Sequence, residues 1–568
     1  MHLAAIRVVF ATALFGSAAA VGQTPVVSFT GETMRLQSAS VGAGTGGSWN
    51  VTLQMANDNN NASLPSTWRR WWHCQVGNLA AAGTTLNVSV TNAGYSDVIL
   101  PVWSLSTDGV NFPAYTRVPL SAVPTVVGST QHRFTLVTPP GVIAIRLAKF
   151  FPYTVTRKNA MLASLAGDPR VRSIVTIGNS QQGRPIEQLE LTDGSVPDTN
   201  KQRIWIHAGV HPAETTAYLV TEGLLDWLRS GDPYAEALLD HALIDVVPMP
   251  NPDGVFLGNY RANANSVEIE SQWSAPYTST QPEVVALRTA IEGYMGTVAS
   301  PAAHPIRVLL NLHSSHNVSF PFHFRHTANA AWTPGCTDCG VLPLVNQLEG
   351  QWITRFAARS AFVAIGTTQS STLGTRPFVE SMMHDRWTSV AGWLGAPGFQ
   401  QPVMAITFEG TYGFGPDGVT WNTEADYRQC GAEMGRALFD HLGLALTASS
   451  SQYGTPCVAA TLGASLLPQP NGSHVANLAI ASAASNGIAV LAVGAQPIAL
   501  PLPAPWVNCT LWTTVDGTVA FLLDAAGATT IPLPVPAIPG LAARLQVFTL
   551  DAALTFDASN GLFVGNDY

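Results

Sequence analysis

Hydrophobic and polar positions follow three successive patterns along the chain. Between residues 24 and 152 the apolar runs are short and alternate with period two. Examples are Thr85-Leu-Asn-Val-Ser-Val90, Val98-Ile-Leu-Pro-Val102 and His132-Arg-Phe-Thr-Leu-Val137, separated by Gly, Asn, Asp and Pro. Side chains two apart share one face of a strand, so this segment predicts an antiparallel β-sandwich. From 153 to 447, largely apolar runs (Ile204 to Ile206, Leu309 to Leu312, Ala405 to Phe408) alternate with helical periodicity over 213–230, 281–297, 342–359 and 424–446. That rhythm predicts an α/β domain built on a mixed, mostly parallel sheet with helices on both faces. From 448 to 568 the helical period disappears. Turn-bounded runs such as Val490 to Val493, Thr510 to Thr514 and Leu545 to Leu550 predict a small C-terminal β-rich domain.

The chemistry collects where the central strands end. His211 and Glu214 follow the run Ile204 to Ile206 and precede a helical stretch, an i, i+3 pair that a helix would place on one face. An imidazole and a carboxylate at that spacing can hold one Zn²⁺ and leave a coordination position open if a third ligand arrives from elsewhere. His313 ends the run Leu309 to Leu312, and Glu409 ends the run Ala405 to Phe408. Between them lie the turn Asn251-Pro-Asp-Gly254 and the string Gly258-Asn-Tyr-Arg261. Ligands gather at strand ends in such folds.

Together these motifs resemble the zinc carboxypeptidase family, in its cytosolic-carboxypeptidase-like branch. The match is carried by His211-Pro-Ala-Glu214, Asn251-Pro-Asp-Gly-Val255, Gly258-Asn-Tyr-Arg261, Leu312-His313-Ser314 and Thr407-Phe-Glu409, with an upstream strand entry at Thr176 to Ile186. The segment Trp71 to Val76 and the string Phe150-Phe-Pro-Tyr-Thr154 are similar to the sandwich domain that precedes the catalytic unit in that branch. The resemblance implies one zinc ion held by His211, Glu214 and His313, and Glu409 as general base for a metal-activated water. It also implies that Arg261 stabilises the oxyanion. The activity implied is hydrolysis of an amide bond at or near a peptide C-terminus.

Two departures from the branch concern substrate. Where the branch carries an Asp-Leu-Asn-Arg-Gln-Trp-like string, whose Asn and Arg grip a terminal carboxylate, this chain reads Glu268-Ile-Glu270-Ser271-Gln-Trp273. Glu270 would repel a free carboxylate and attract a basic group, or else point away while Ser271 lines a wider pocket. Arg325 and Arg386 are candidates to replace the lost Arg, and Trp387 to replace a Tyr that relatives place about twenty residues before the base. Ala213, where digestive relatives carry Arg, agrees with the branch and removes another substrate-binding charge. His207, His323, His326 and His384 are expected as pocket lining or as hydrogen-bond partners of the ligands, and His316 as a non-ligand.

Composition sets the surroundings. Residues 1–23 bear one cation, Arg7, then an uncharged run from Val8 to Val21 with small residues at its end, the pattern of a secretory signal peptide. A secreted, periplasmic or cell-surface protein is therefore expected, with no membrane span, because no other uncharged run reaches membrane-helix length with helical character and Gly and Pro interrupt the apolar C-terminal stretches. Six cysteines suit an oxidising compartment; Cys457 is expected to pair with Cys509, and Cys336-x-x-Cys339 to form a local disulfide or to reach Cys74 or Cys430. Net charge is −9 and charged residues are 11% of the chain, with no basic footprint, which excludes nucleic acid as partner. The substrate expected is a peptide or peptide-like molecule; nothing in the chain sets an oligomeric state. Two alternatives stand beside the carboxypeptidase: a zinc amidohydrolase acting on a modified peptide or cell-wall amide without a free carboxylate, and a non-catalytic binding protein on the same scaffold.

Overall fold

The structure is a computed structural model that describes residues 23–315, 318–325, 343–366, 371–372, 378–390, 392–394, 402–444, 447–469, 473–536 and 541–567. The signal-peptide expectation for residues 1–22, and those for His316, His326, Cys336 and Cys339, lie outside the described residues.

The period-two runs at the N-terminus form two five-stranded sheets. Thr85–Thr91 and Gln131–Val137 pair antiparallel in one of them. The second sheet carries Val102–Ser106, which begins one residue after Pro101 rather than at Val98. Proline has no N–H for a ladder, and here it marks the strand boundary. The two sheets pack on a shared core that includes Leu53, Val88, Trp72 and Ile145 and continues into the central domain.

The central sheet has eight strands in the order Val171–Asn179, Pro185–Leu191, Ala242–Val247, Gln202–Ala208, Ile306–Ser315, Met404–Thr411, Phe322–Arg325, Ser371–Thr372. Its four middle strands run parallel. Alternation along these strands divides their side chains between two cores. Ile204, Ile206, Leu310, Leu312, Ile406 and Phe408 pack with helices Thr215–Leu228 and Glu424–His441. Trp205, Leu309 and Ala405 pack on the opposite face with helix Pro282–Met295. Burying about 1.5–3 kcal/mol of apolar side chain at each such position holds helices on both faces. The expected architecture is the one found, with helix ends within five residues of the sequence reading. His313 and Glu409 project toward the second face, beyond Leu309 and Ala405, at the carboxyl ends of their strands.

The C-terminal strands form sheets of six, three and two strands over residues 447–567, around Leu478, Leu491, Val547 and Leu562. Cys457 and Cys509 are disulfide-bonded as expected. Cys74 and Cys430 are buried free thiols, which removes them as partners for Cys336 or Cys339. Among the described residues no helix is long and apolar enough to cross a membrane.

Candidate metal centre

His211 and Glu214 lie between strand Gln202–Ala208 and helix Thr215–Leu228. The chain turns at Gly209, where φ is +73° and a Cβ would sit 2.1 Å from the Tyr218 ring, so only glycine fits. Glu214 is the N-cap, with φ −82° and ψ 64°, and its N–H reaches His211 O at 3.2 Å. The pair thus shares a tight turn ahead of the helix, which corrects the expectation of a common helix face. Asn251 braces this turn by donating Nδ2–H to Val210 O at 3.1 Å while its Oδ1 caps Gly254 N.

His313 enters from the next strand, and parallel pairing sets it directly opposite Glu409. Register alone therefore brings ligand and candidate base side by side. Ligand atoms of His211, Glu214 and His313 lie within 4.8 Å of one another and could hold a metal ion. Glu214 Oε1 is 2.8 Å from His211 Nδ1, and Oε2 is 2.8 Å from His313 Nδ1. The two Nδ1 atoms are 3.2 Å apart, close to the ~3.3 Å spacing of two nitrogens on one tetrahedral zinc. Two imidazoles and one carboxylate make a donor set that leaves a further position free, as catalytic zinc requires, so the residues fit the ion. Burial opposes the Glu214 charge, yet His211 and His313 hold its carboxyl well below the usual range.

Among the described residues, the buried Glu409 Oε2 has no hydrogen-bond partner. Burial first, and Glu214 second, push its pKa up to about 8 against the pull of His313, His211 and Arg261. Arg261 lines the same cavity, and although burial opposes its charge, Glu268 foremost, with Tyr260, Glu214 and Glu409, raises its pKa.

The N-terminal domain completes the site. Asp58, 2% exposed, accepts the backbone N–H groups of Tyr260 at 2.7 Å and of Arg261 and Ala262 at 2.8 Å each. Asn59 and Asn259 exchange two further bonds beside them. Arg70 is the second guanidinium lining the ~290 Å³ cavity over the metal ligands; its Nε donates to Thr67 O, and Nη1 is 3.6 Å from Asp97. Sequence reasoning found neither Asp58 nor Arg70. The doublet Arg69-Arg70 ahead of Trp71 was visible, but no spacing ties it to His211.

Other expectations are corrected. Arg325 bonds Asn346, and Arg386 pairs with Glu292; neither lines the cavity. Trp387 is buried in the second core and donates to Gly296 O at 2.9 Å. His207 lies beneath the site, accepting from Trp205, and His323 packs against Phe356 and Phe408. His384 sits beside Asp385 away from the cavity, so none of the three lines it. Ser271 is outside the cavity too, its Oγ donating to Glu268, whereas Glu270 lines it while turned toward His313.

Residues 159–374 match the family described as zinc carboxypeptidase. The chain is 33% identical over 151 residues to mouse cytosolic carboxypeptidase 6, covering 26% of this chain and 28% of that protein. It is 28% identical over 248 residues to an uncharacterized protein of Zymomonas mobilis, covering 43% and 59%. The matched segment thus spans under a third of the mouse relative. In fold, the chain is similar to a metallo-carboxypeptidase of Burkholderia cenocepacia at TM-score 0.54 and 22% identity, over 74% of this chain and 99% of the other. A Pseudomonas aeruginosa metallo-carboxypeptidase in complex with (2-guanidinoethylmercapto)succinic acid gives TM-score 0.54 and 20% identity over the same shares. With the ligand turn, the strand register and the fold all in agreement, this chain carries a domain of the zinc carboxypeptidase family, a family of metallocarboxypeptidase-type hydrolases.

Proposed function

We propose that this protein hydrolyses an amide bond at or near the C-terminus of a peptide or peptide-like substrate. The observation that carries the reading is the convergence of His211, Glu214 and His313, with Glu409 in register beside His313. Zinc held by these three residues would supply a Lewis acid for the scissile carbonyl and would lower the pKa of the attacking water. Glu409 accepts the water proton on its unpartnered Oε2 and passes it to the departing nitrogen. Arg261 donates to the carbonyl oxygen as it gains charge, with Asp58 fixing the Arg261 backbone.

The leaving group is bound differently from that of a carboxypeptidase with the Asn-Arg pair, because neither Glu270 nor Ser271 offers a cation. Arg70, from the other domain, supplies the charge for a free carboxylate. A substrate without that carboxylate, such as an amidated peptide or a cell-wall amide, is the second reading, favoured by the loss of the Asn-Arg pair at Glu270-Ser271. The test is to incubate zinc-loaded protein with matched peptides bearing free or amidated C-termini and to read masses with and without chelator. Chelator-sensitive loss of single residues from free termini is expected. Cleavage of amidated peptides alone would select the second reading, and no cleavage with zinc bound would favour a binding protein.

We further propose that the protein is exported after removal of residues 1–23, supported by the charge pattern of that segment and by the Cys457–Cys509 disulfide. N-terminal sequencing of the protein recovered from its native compartment checks this; an intact Met1 in the cytoplasm would refute it.

A further inference from the structure

The pair Glu270-Ser271 departs from the family string, and the structure gives both residues a task at the metal ligands. Glu268 Oε1 lies 2.8 Å from His211 Nε2, the ring nitrogen facing away from Glu214. Two residues on, Glu270 Oε2 lies 3.5 Å from His313 Nε2, the corresponding nitrogen of the other imidazole. Glu270 Oε1 accepts Asn311 Nδ2–H at 2.8 Å, and the side chain is 2% exposed. One short segment therefore sets a carboxylate behind each of two ligand rings. Ser271 fastens the first of these: its N–H donates to Glu268 Oε2 at 3.1 Å and its hydroxyl to the same oxygen. The Glu270 N–H donates to Glu268 Oε1 at 2.8 Å.

A carboxylate on the outer nitrogen of a ligating imidazole fixes the tautomer, aims the inner lone pair and raises ligand basicity. We propose that Glu270 is the positioning residue for His313 and that Ser271 positions Glu268 on His211, so that residues 268–271 serve the metal ligands in place of gripping a terminal carboxylate. The proposal rests on the reading that His211, Glu214 and His313 hold zinc. The same contacts turn Glu270 away from a role as counter-charge to a cationic leaving residue. One of its oxygens is taken by Asn311 and the other faces His313, leaving neither directed at solvent.

The experiment is zinc titration of the full chain against a chromophoric chelator, with the cobalt(II) absorption spectrum as second readout. Glu270→Gln keeps the shape and removes the charge; it should weaken zinc binding about 10- to 100-fold and shift the cobalt bands. Ser271→Ala should weaken binding less, in the same direction. Wild-type affinity and an unchanged cobalt spectrum in Glu270→Gln would overturn the proposal. So would a rise in KM confined to peptides with a cationic leaving residue at unchanged zinc affinity. Should Glu270→Gln be insoluble, Glu270→Asp, which keeps the charge but shortens the reach, is judged by the same two readouts. His211→Ala is the control: if it binds zinc as wild type does, the metal site itself has been misread, which is separable from a failure of Glu270 alone.

Discussion

Asp58→Ala tests how the N-terminal domain takes part in catalysis. The carboxylate is buried and accepts three backbone N–H groups, from Tyr260, Arg261 and Ala262, at 2.7–2.8 Å. Tyr260 and Ala262 are buried, so water reaches the freed groups poorly. Each buried donor left unpaired costs about 1–3 kcal/mol, so the three together cost about 3–6 kcal/mol once some water enters the space left behind. The loop can escape that cost only by moving, and Arg261 moves with it. Loss of one oxyanion donor lowers kcat about 10²–10³-fold. Asp58→Ala should therefore approach Arg261→Ala in kcat/KM while zinc content stays at that of wild type. Asp58→Asn, which keeps an acceptor but turns an NH₂ group toward one donor, should fall between. The assay is steady-state cleavage of the best peptide by the two single variants and the double variant. If Asp58 acts through Arg261, the double variant is no worse than Arg261→Ala alone. Additive losses, or an Asp58→Ala rate within about twofold of wild type while Arg261→Ala collapses, would refute the reasoning.

Three more expectations come from the same geometry. Glu409→Gln should keep zinc and bind substrate yet lose about 10²–10⁴-fold in kcat, checked by turnover alongside metal analysis; unchanged turnover removes Glu409 from the mechanism. Arg70→Ala should raise KM about 10- to 100-fold for peptides with a free C-terminal carboxylate and leave amidated ones alone, the worth of one charge-assisted contact; equal effects on both would show that Arg70 does not read the carboxylate. For pH, burial lowers His73 and His323 to about 3 and His441 to about 4. The unfolded chain protonates these rings near pH 6.5, so below that pH it binds more protons than the folded one. Their stability contribution is complete above about pH 6.5 and is lost as pH falls toward the folded values, at about 1.4 kcal/mol per unit for each ring. Urea unfolding between pH 7 and 5 should show that slope, and a flat profile would contradict it.

The sequence by itself determined the layers and the candidate ligands. Apolar runs such as Ile204 to Ile206 leave no side for water, so they had to become inner strands. Helical periodicity beside them had to supply the cover, and His211, Glu214, His313 and Glu409 are placed at strand ends by position in the chain alone. Local periodicity carries that information because burial acts on every residue of a run. Tertiary structure decided what depends on contacts between distant segments. The register that sets His313 opposite Glu409 is a property of strand pairing. The clamp of Asp58 on Arg261 spans about 200 residues of chain, and Arg70 reaches the cavity only because two domains pack together. Glu270 shows the difference most plainly. Its charge was legible as a departure from the family string, but whether it faced substrate or ligand depended on where His313 and Asn311 lay, and the chain holds them 41 or more residues away. Side-chain direction at a site is set by the packing of all its neighbours, and no window of sequence contains them.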